Sequence, residues 1–150
     1  AILGICRAST FEGHASMALQ FAAETWEYEH PQLTVQPMAP LHDKERLLLP
    51  TGALVQRLLE ERLAGGNTGQ LAYVFHRDLA AMIAGACLSV REETGLTTAA
   101  LSGGVFQNRL LLRLCDQTLQ QLGFTVLKHS TVPPNDGGIA LGQAVYAAYM

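Results

Sequence analysis

Two glycine-rich segments in the last third of the sequence carry the residue types best suited to binding chemistry. They read Leu-Ser-Gly-Gly-Val-Phe-Gln-Asn at 101–108 and Pro-Pro-Asn-Asp-Gly-Gly at 133–138. Each lies between an extended segment and a helix, where glycine allows close backbone approach and unpaired helical N–H groups suit a phosphate. Gly-Gly pairs also make tight turns without any ligand. Two such loops in succession favour the ligand hypothesis, with a nucleotide or a phosphate as the bound group.

Each loop also contains a polar side chain with two open interpretations. Asp136 precedes a helix, so it is either an N-cap contributing about 1 kcal/mol or an oxygen ligand for a divalent metal that also touches nucleotide phosphates. Asn108 is expected one turn into its helix, as a surface amide or as a hydrogen-bonding partner of a sugar or phosphate. The spacing does not decide between these alternatives.

The other titratable residues give weaker signals. The five histidines show no His-x-x-x-His or Cys/His spacing typical of a metal site; they are His14, His30, His42, His76 and His129. His76-Arg77-Asp78 lies within a predicted helix and is interpreted as a polar face, and Glu12 as a helix-start charge. Ser102 lacks a Gly-x-Ser-x-Gly context, and no cysteine has an identifiable base. The sequence therefore assigns no catalytic residue.

Periodicity predicts the elements that must position these loops. Apolar residues at helical spacing predict helices, and short runs of strand-forming residues predict strands. The predicted helices cover 11–29, with Thr10 as N-cap, 52–63, 68–94, a stretch that ends at Gly123, and 139–149. The predicted strands cover 33–37, 46–49, 97–101 and 124–127, with 41–45 as a hairpin or loop. The strand–helix–strand–helix order near the C-terminus predicts a parallel strand pair with a right-handed crossover, and hence a helix-rich α/β fold.

Composition restricts the function classes. The 150 residues fit one domain; charged residues make up 15%, against a usual share of about 25%, and 49% are hydrophobic. A net charge of −3 without a basic cluster argues against nucleic-acid binding. The sequence has no uninterrupted apolar run of about 20 residues, so it predicts no membrane span. The apolar excess suggests a surface covered by a partner or by more of the same polypeptide. Cys6, Cys87 and Cys115 are expected to be free thiols in a reducing cytoplasm.

The two glycine-rich segments also carry a family resemblance. Residues 100–112 and 132–144 resemble the C-terminal end of the HypF carbamoyltransferases, the [NiFe]-hydrogenase maturation proteins, and residues 10–17 and 75–79 resemble other segments of that family. The resemblance therefore touches most of the chain. It implies a helix-rich lobe of an actin/Hsp70-like (ASKHA) fold, similar to the tRNA threonylcarbamoyladenosine enzyme TsaD.

The resemblance implies a specific activity and a specific set of site residues. The family uses carbamoyl phosphate and ATP to form carbamoyl-adenylate, then passes the carbamoyl group to the C-terminal cysteine of HypE for cyanide-ligand synthesis. By similarity, Gly13 lies against the nucleoside and Asn108 contacts the nucleotide. Asp136 matches a ligand of a divalent metal, whether magnesium, iron or zinc. The resemblance also implies that Gly103 and Gly104 line the phosphate side and that Ser102 belongs to the nucleotide-binding residues.

The sequence also departs from the complete family pattern. It lacks the His-x-x-x-His pair of the metal site and the acylphosphatase-like, zinc-finger and YrdC-like parts. We therefore expect residues 1–150 to be one domain of a larger enzyme, a C-terminal fragment with half a nucleotide site that does not turn over alone. The alternatives are a lobe of a TsaD-type tRNA-modifying enzyme and a non-catalytic docking module.

Overall fold

The computed structural model describes residues 2–31, 34–44 and 46–150. Five helices and four short strands form along these ranges, with 3-10 turns at Gly104–Gln107 and Asp136–Gly138. In chain order they are α1 (His14–Glu29), β1 (Leu41–Asp43), β2 (Arg46–Leu48), α2 (Thr51–Leu63), α3 (Thr68–Thr94), β3 (Thr98–Leu101), α4 (Arg109–Gln121), β4 (Thr125–Lys128) and α5 (Ile139–Ala148).

Helix α3 forms the centre of the molecule and packs against α1, α2 and α4. Asn67 caps its start, since the Asn67 side chain accepts a hydrogen bond of 3.0 Å from Gln70 N, and Gly95 ends it at φ +73°. Apolar residues lie on all sides of this helix, which is the pattern of a buried helix. Its predicted bounds, 68–94, are confirmed.

Within the described ranges, α3 is also the one helix long and apolar enough to qualify as a membrane span by length and composition. Of its most apolar window, 61% is buried inside the protein, as expected for the core helix of a folded domain.

The strands form two separate pairs. Strand β3 runs parallel to β4, in register from Thr98 opposite Thr125 to Leu101 opposite Lys128, and α4 connects the two. This arrangement confirms the predicted parallel pair near the C-terminus. Strands β1 and β2 form an antiparallel hairpin next to Lys44, which adopts a left-handed backbone at φ 56°.

Two local predictions in the first third are wrong. Helix α1 begins at His14 rather than at 11, and its N-cap is Gly13 rather than Thr10. Gly13 has φ +83°, a left-handed conformation that interrupts the helical backbone. The Thr10 N–H instead donates to His14 Nδ1 at 3.3 Å.

The strand expected at 33–37 is absent from residues 34–37, and Leu33 lies outside the described residues. The chain that continues from this segment instead contacts α3, since Met38 N donates to Ala81 O at 2.9 Å. This bond ties the chain to a helix rather than to a neighbouring strand. Strand β1 forms further along, within the segment expected as a hairpin or loop; Glu45 of that segment also lies outside the described residues.

The crossing of Met38 over α3 requires a glycine at position 85. A Cβ atom at Gly85 would lie 1.8 Å from Met38 O, closer than any real contact. We expect Gly85→Ala to lower the free energy of unfolding by at least roughly 1–3 kcal/mol, measured by urea denaturation. Gly52→Ala is the matched control, because no atom lies within 4 Å of its Cβ position and alanine favours helix. Equal effects of the two substitutions would contradict the close-approach argument.

Candidate functional site

The two glycine-rich loops lie side by side. Each follows a strand of the parallel pair β3–β4, and the carboxyl ends of parallel strands meet at one edge of a sheet. The proximity is direct, since a Cβ atom built on Gly104 would lie 4.0 Å from the Cβ of Asn135. The fold therefore brings together the loop residues that the sequence placed 31 positions apart (135 minus 104).

The backbone of the first loop is open. Gly103 has φ +95° and ψ 159°, a conformation that side chains disfavour, and its carbonyl accepts from Phe106 N at 3.1 Å. No atom lies within 4 Å of the Cβ position of Gly103. The loop thus offers its main chain without a covering side chain, as close contact with a ligand would require.

Asn108 is the N-cap of α4, so the expectation that it lies one turn into the helix is wrong. Its Oδ1 accepts from Leu111 N at 3.0 Å, which directs its Nδ2 towards His76 Nε2 at 2.8 Å. His76 Nε2 must therefore accept, and the imidazole proton sits on Nδ1, which donates to Ala72 O at 2.8 Å. Asn108 thus fixes the end of the loop to α3, and one amide hydrogen is left for a further partner.

His76 and Asp78 do not form the polar face that the sequence predicts. They are 1% and 3% exposed, because α3 is surrounded by other elements. Burial lowers the pKa of His76. The Asp78 carboxylate pairs with Arg57 of α2 and with Arg77 at 2.6 Å, so its charge is compensated. The sequence signal for the burial of His76 and Asp78 was the presence of apolar residues on all sides of α3, since such a helix has no face turned to solvent.

The second loop is organised by Asn135 rather than by Asp136. Asn135 Oδ1 accepts from Gly137 N at 3.2 Å and so caps the short 3-10 turn, which means that the N-cap interpretation of Asp136 is wrong. Asp136 is exposed within that turn. Gly138 is held tightly, since its Cβ position lies 3.0 Å from Pro133 O. The loop therefore has a fixed backbone and an exposed carboxylate.

Gly13 lies at the opposite end of α1 from the ion pair that joins α1 to α4. It lies at the start of α1, whose 16 residues span about 24 Å. The ion pair that links α1 to α4 is made at the other end, between Glu27 and Arg113. This contact does not bring Gly13 to Asn108, and the expected nucleoside contact of Gly13 stays a prediction.

His129 is the site residue that sequence reasoning missed. Its Nε2 lies 2.8 Å from Ser102 Oγ, and both residues are exposed. Each is the first residue after its strand, and the paired register of Leu101 and Lys128 places them together. The sequence signal for this contact was that Ser102 and His129 follow two strands that pair in parallel.

Metal ligands are sparse at this edge of the sheet. Across the described ranges, no group of three or more His, Cys, Asp or Glu side chains could hold a metal ion. Asp136 supplies one carboxylate. Any metal bound there needs further ligands from a substrate, from water or from another polypeptide segment.

The comparisons with known proteins agree on one family. A family model described as "Carbamoyltransferase, Kae1-like Domain, second subdomain" matches residues 1–143. Carbamoyltransferase HypF2 of Cupriavidus necator is 33% identical over 95% of this chain, and carbamoyltransferase HypF of Rhodobacter capsulatus is 34% identical over 99% of it. The chain spans 20% and 18% of the lengths of these two relatives.

Solved structures support the same assignment. Full-length HypF in its phosphate- and nucleotide-bound form matches 97% of this chain with a TM-score of 0.82 and 31% identity, over 18% of its own length. The T. kodakarensis HypF structure matches 96% of this chain with a TM-score of 0.69 at 24% identity, which supports the fold alone. The helix-rich α/β fold with a small parallel strand pair is thus a shared architecture.

The burial of the His76 imidazole makes stability depend on pH, because burial lowers the pKa of His76. Because the pKa of His76 in the folded chain lies below its unfolded value of 6.5, the unfolded chain binds more protons, and stability is lost as pH falls below about 6.5. We expect the free energy of unfolding to decrease from pH 7.5 to pH 5.5 in the wild type, and less so in His76→Leu. Urea denaturation at both pH values measures this difference. His42→Gln, an exposed control, should keep the wild-type dependence, and an unchanged slope in His76→Leu would refute the assignment.

Proposed function

We propose, from the premise that this chain belongs to the HypF carbamoyltransferase family, that it supplies the nucleotide-phosphate half of a carbamoyl-transfer site. The observation that carries the proposal is the adjacency of the two glycine-rich loops, 4.0 Å apart between the Cβ position of Gly104 and Asn135 Cβ. The chain spans about a fifth of the length of its relatives, so the activity of the whole protein is part of the proposal. A Kae1-like lobe with actin/Hsp70-like (ASKHA) architecture is the fold proposed for the complete domain.

The first loop suits phosphate oxygens through its main chain and its hydroxyl. Gly103 and Gly104 expose backbone next to the N-terminus of a 3-10 turn, and α4 starts shortly afterwards at Arg109, behind its Asn108 cap. Unpaired N–H groups at such positions carry partial positive charge and attract anions. Ser102 adds a donor at the same edge. The nucleotide phosphates would therefore lie across the carboxyl ends of β3 and β4.

The proposed reaction relies on positioning rather than on a protein nucleophile. Carbamoyl phosphate and ATP are the proposed substrates, which form carbamoyl-adenylate with release of phosphate and pyrophosphate. The C-terminal cysteine of HypE is the proposed acceptor of the carbamoyl group, and AMP leaves in that step. The cysteines inside this fold do not suit thiolate chemistry, because burial raises the pKa of Cys87 and raises that of Cys115 to about 12. Holding the reacting groups in place and balancing the phosphate charge are the contributions that this chain can make.

A divalent metal fits this site only if substrate phosphates and water supply the ligands that Asp136 does not. One exposed carboxylate, Asp136, suits Mg²⁺, which is commonly held by one or two carboxylates together with substrate phosphates and water. It does not by itself suit iron or zinc, whose sites use several protein ligands. When bound, Mg²⁺ would neutralise phosphate charge. Asp136 would hold the ion, together with water and with phosphates bound at the first loop.

Helix α5 is proposed as the surface that the remainder of a HypF-type polypeptide covers. No residue of α5 is buried, although eight of its ten positions are apolar, glycine aside. Large exposed side chains on and just beyond it include Ile139, Leu141, Val145, Tyr146, Tyr149 and Met150. An apolar helix without buried residues marks an interaction surface. The greater length of the relatives and the subdomain description of the family model support more of the same polypeptide as the proposed occupant.

Two alternatives are less well supported. The relatives reported above are HypF proteins, which favours this family over a TsaD-type tRNA-modifying enzyme. A non-catalytic docking module would keep the fold without binding nucleotide, so nucleotide binding separates it from the enzyme hypothesis. The three free thiols, Cys6, Cys87 and Cys115, agree with the cytoplasmic location that we propose.

The adjacency of the loops predicts nucleotide binding that a small obstruction removes. Isothermal titration should show weak binding of Mg·ATP to the wild-type chain. Gly104→Val should weaken it at least roughly ten-fold, since the added side chain occupies the space beside Asn135 in which the phosphates would lie. Gly52→Val is the matched control, because its Cβ position meets no atom within 4 Å and lies in α2, outside both loops.

The same titration in EDTA tests the metal. Wild-type affinity for ATP should be higher with Mg²⁺ than without it, and Asp136→Asn should remove that difference, while Asp43→Asn, an exposed control in β1, should keep it. Absence of Mg·ATP binding by a folded wild-type chain would overturn the nucleotide proposal and leave the docking module.

The exposed face of α5 predicts substitutions that affect association and not folding. Leu141→Glu and Tyr146→Glu replace side chains that are 51% and 68% exposed, so the free energy of unfolding should change by less than about 0.5 kcal/mol. Both should abolish co-elution with a separately produced HypF segment that precedes this region in a relative. Leu63→Glu, an exposed control at the end of α2, should preserve co-elution. Retained association of the α5 variants would place the covered surface elsewhere.

A further inference from the structure

Ser102 and His129 form an exposed side-chain contact, and the proposed function assigns no role to His129. Ser102 Oγ and His129 Nε2 lie 2.8 Å apart at the carboxyl ends of β3 and β4. Ser102 immediately precedes the left-handed Gly103. We propose that Ser102 and His129 together bind a phosphate group of the nucleotide, with His129 as the binding residue contributed by the second strand. This inference rests on the proposed function and adds a residue to it.

The hydrogen-bond donors that the pair leaves free suit an anionic acceptor. With Nε2 protonated, the imidazole donates to Ser102 Oγ, and the hydroxyl hydrogen is free for another acceptor. With Nδ1 protonated, the hydroxyl donates to Nε2, and the Nδ1–H of His129 is the free donor. With both nitrogens protonated, the pair offers two donors and a positive charge. In every state at least one donor hydrogen is available for a third group. A deprotonated phosphate oxygen can accept it, because such an oxygen is an acceptor only.

The surroundings of the pair agree with this assignment. The preceding residue on β4, Lys128, is already paired with Asp116 of α4, so its charge is compensated, and the hydrogen-bonding group that this end of β4 offers to the loop is the imidazole of His129. A hydrogen bond between exposed side chains contributes little to stability, since water competes for both partners. The geometry places the pair beside the open backbone of Gly103, where an anion would receive main-chain and side-chain donors together.

The test compares three probes on the full chain: Mg·ATP, inorganic pyrophosphate and adenosine. His129→Gln and Ser102→Ala should each weaken Mg·ATP and pyrophosphate binding roughly ten-fold, as expected for a lost hydrogen bond to a charged group, and leave adenosine binding unchanged. The double variant should bind no more weakly than the weaker single variant, because the two residues act as one unit. His42→Gln, an exposed histidine on β1, is the control and should bind all three probes as the wild type does.

The outcomes separate this inference from the proposed function. If the folded wild type binds Mg·ATP and both variants bind it equally well, the pair is only a tie between the strand ends and the inference fails alone. Equal weakening of adenosine and Mg·ATP in the variants would also overturn it, because a phosphate contact cannot act on adenosine. If the wild type binds none of the probes, the nucleotide proposal fails and the inference fails with it. Thermal melting of each variant verifies folding, and Ser102→Ala decides the question if His129→Gln does not fold.

Discussion

The partly buried hydrogen bond between Asn108 and His76, 2.8 Å long, connects the first loop to the centre of the molecule. Asn108 caps α4 with one end of its amide and faces α3 with the other, so the position of the loop and the start of the helix are set by one side chain. Loss of either partner would leave a buried donor or acceptor unpaired, which costs about 1–3 kcal/mol. The imidazole tautomer follows from the same geometry, because Ala72 O accepts the other ring proton.

The far end of α4 is anchored to α3 in a comparable way. Arg91 of α3 donates to Leu122 O at 2.7 Å, and its guanidinium lies 4.6 Å from the centroid of the Phe124 ring, where β4 is about to begin. With both ends of α4 fixed along α3, β4 reaches β3 in a defined register. That register places the two glycine-rich loops next to each other. The geometry of the candidate site is thus a consequence of helix packing more than of the short strands themselves.

Local patterns in the sequence were sufficient for much of this fold. The periodic apolar residues of α3, its Asn67 cap and its Gly95 terminator are short-range features, and they predict its bounds correctly. The glycine pairs likewise mark both loops. One error arose where a distant element decides the local structure: residues 34–37 resemble a strand in composition, but the segment that continues from them bonds to α3 through Met38. The other error, at the start of α1, arose from a backbone conformation that apolar periodicity does not report, the left-handed Gly13.

The sequence by itself determined the fold class, the family and the identity of the two loops, because these depend on the order of residue types along the chain. The tertiary structure alone decided the roles of individual side chains. His76 became the buried partner of Asn108, Asp78 that of Arg57, and His129 a neighbour of Ser102. These three pairs join residues that lie 21 to 32 positions apart. Periodicity reports which face of an element is apolar, but the partner of a polar side chain is set by how the elements pack.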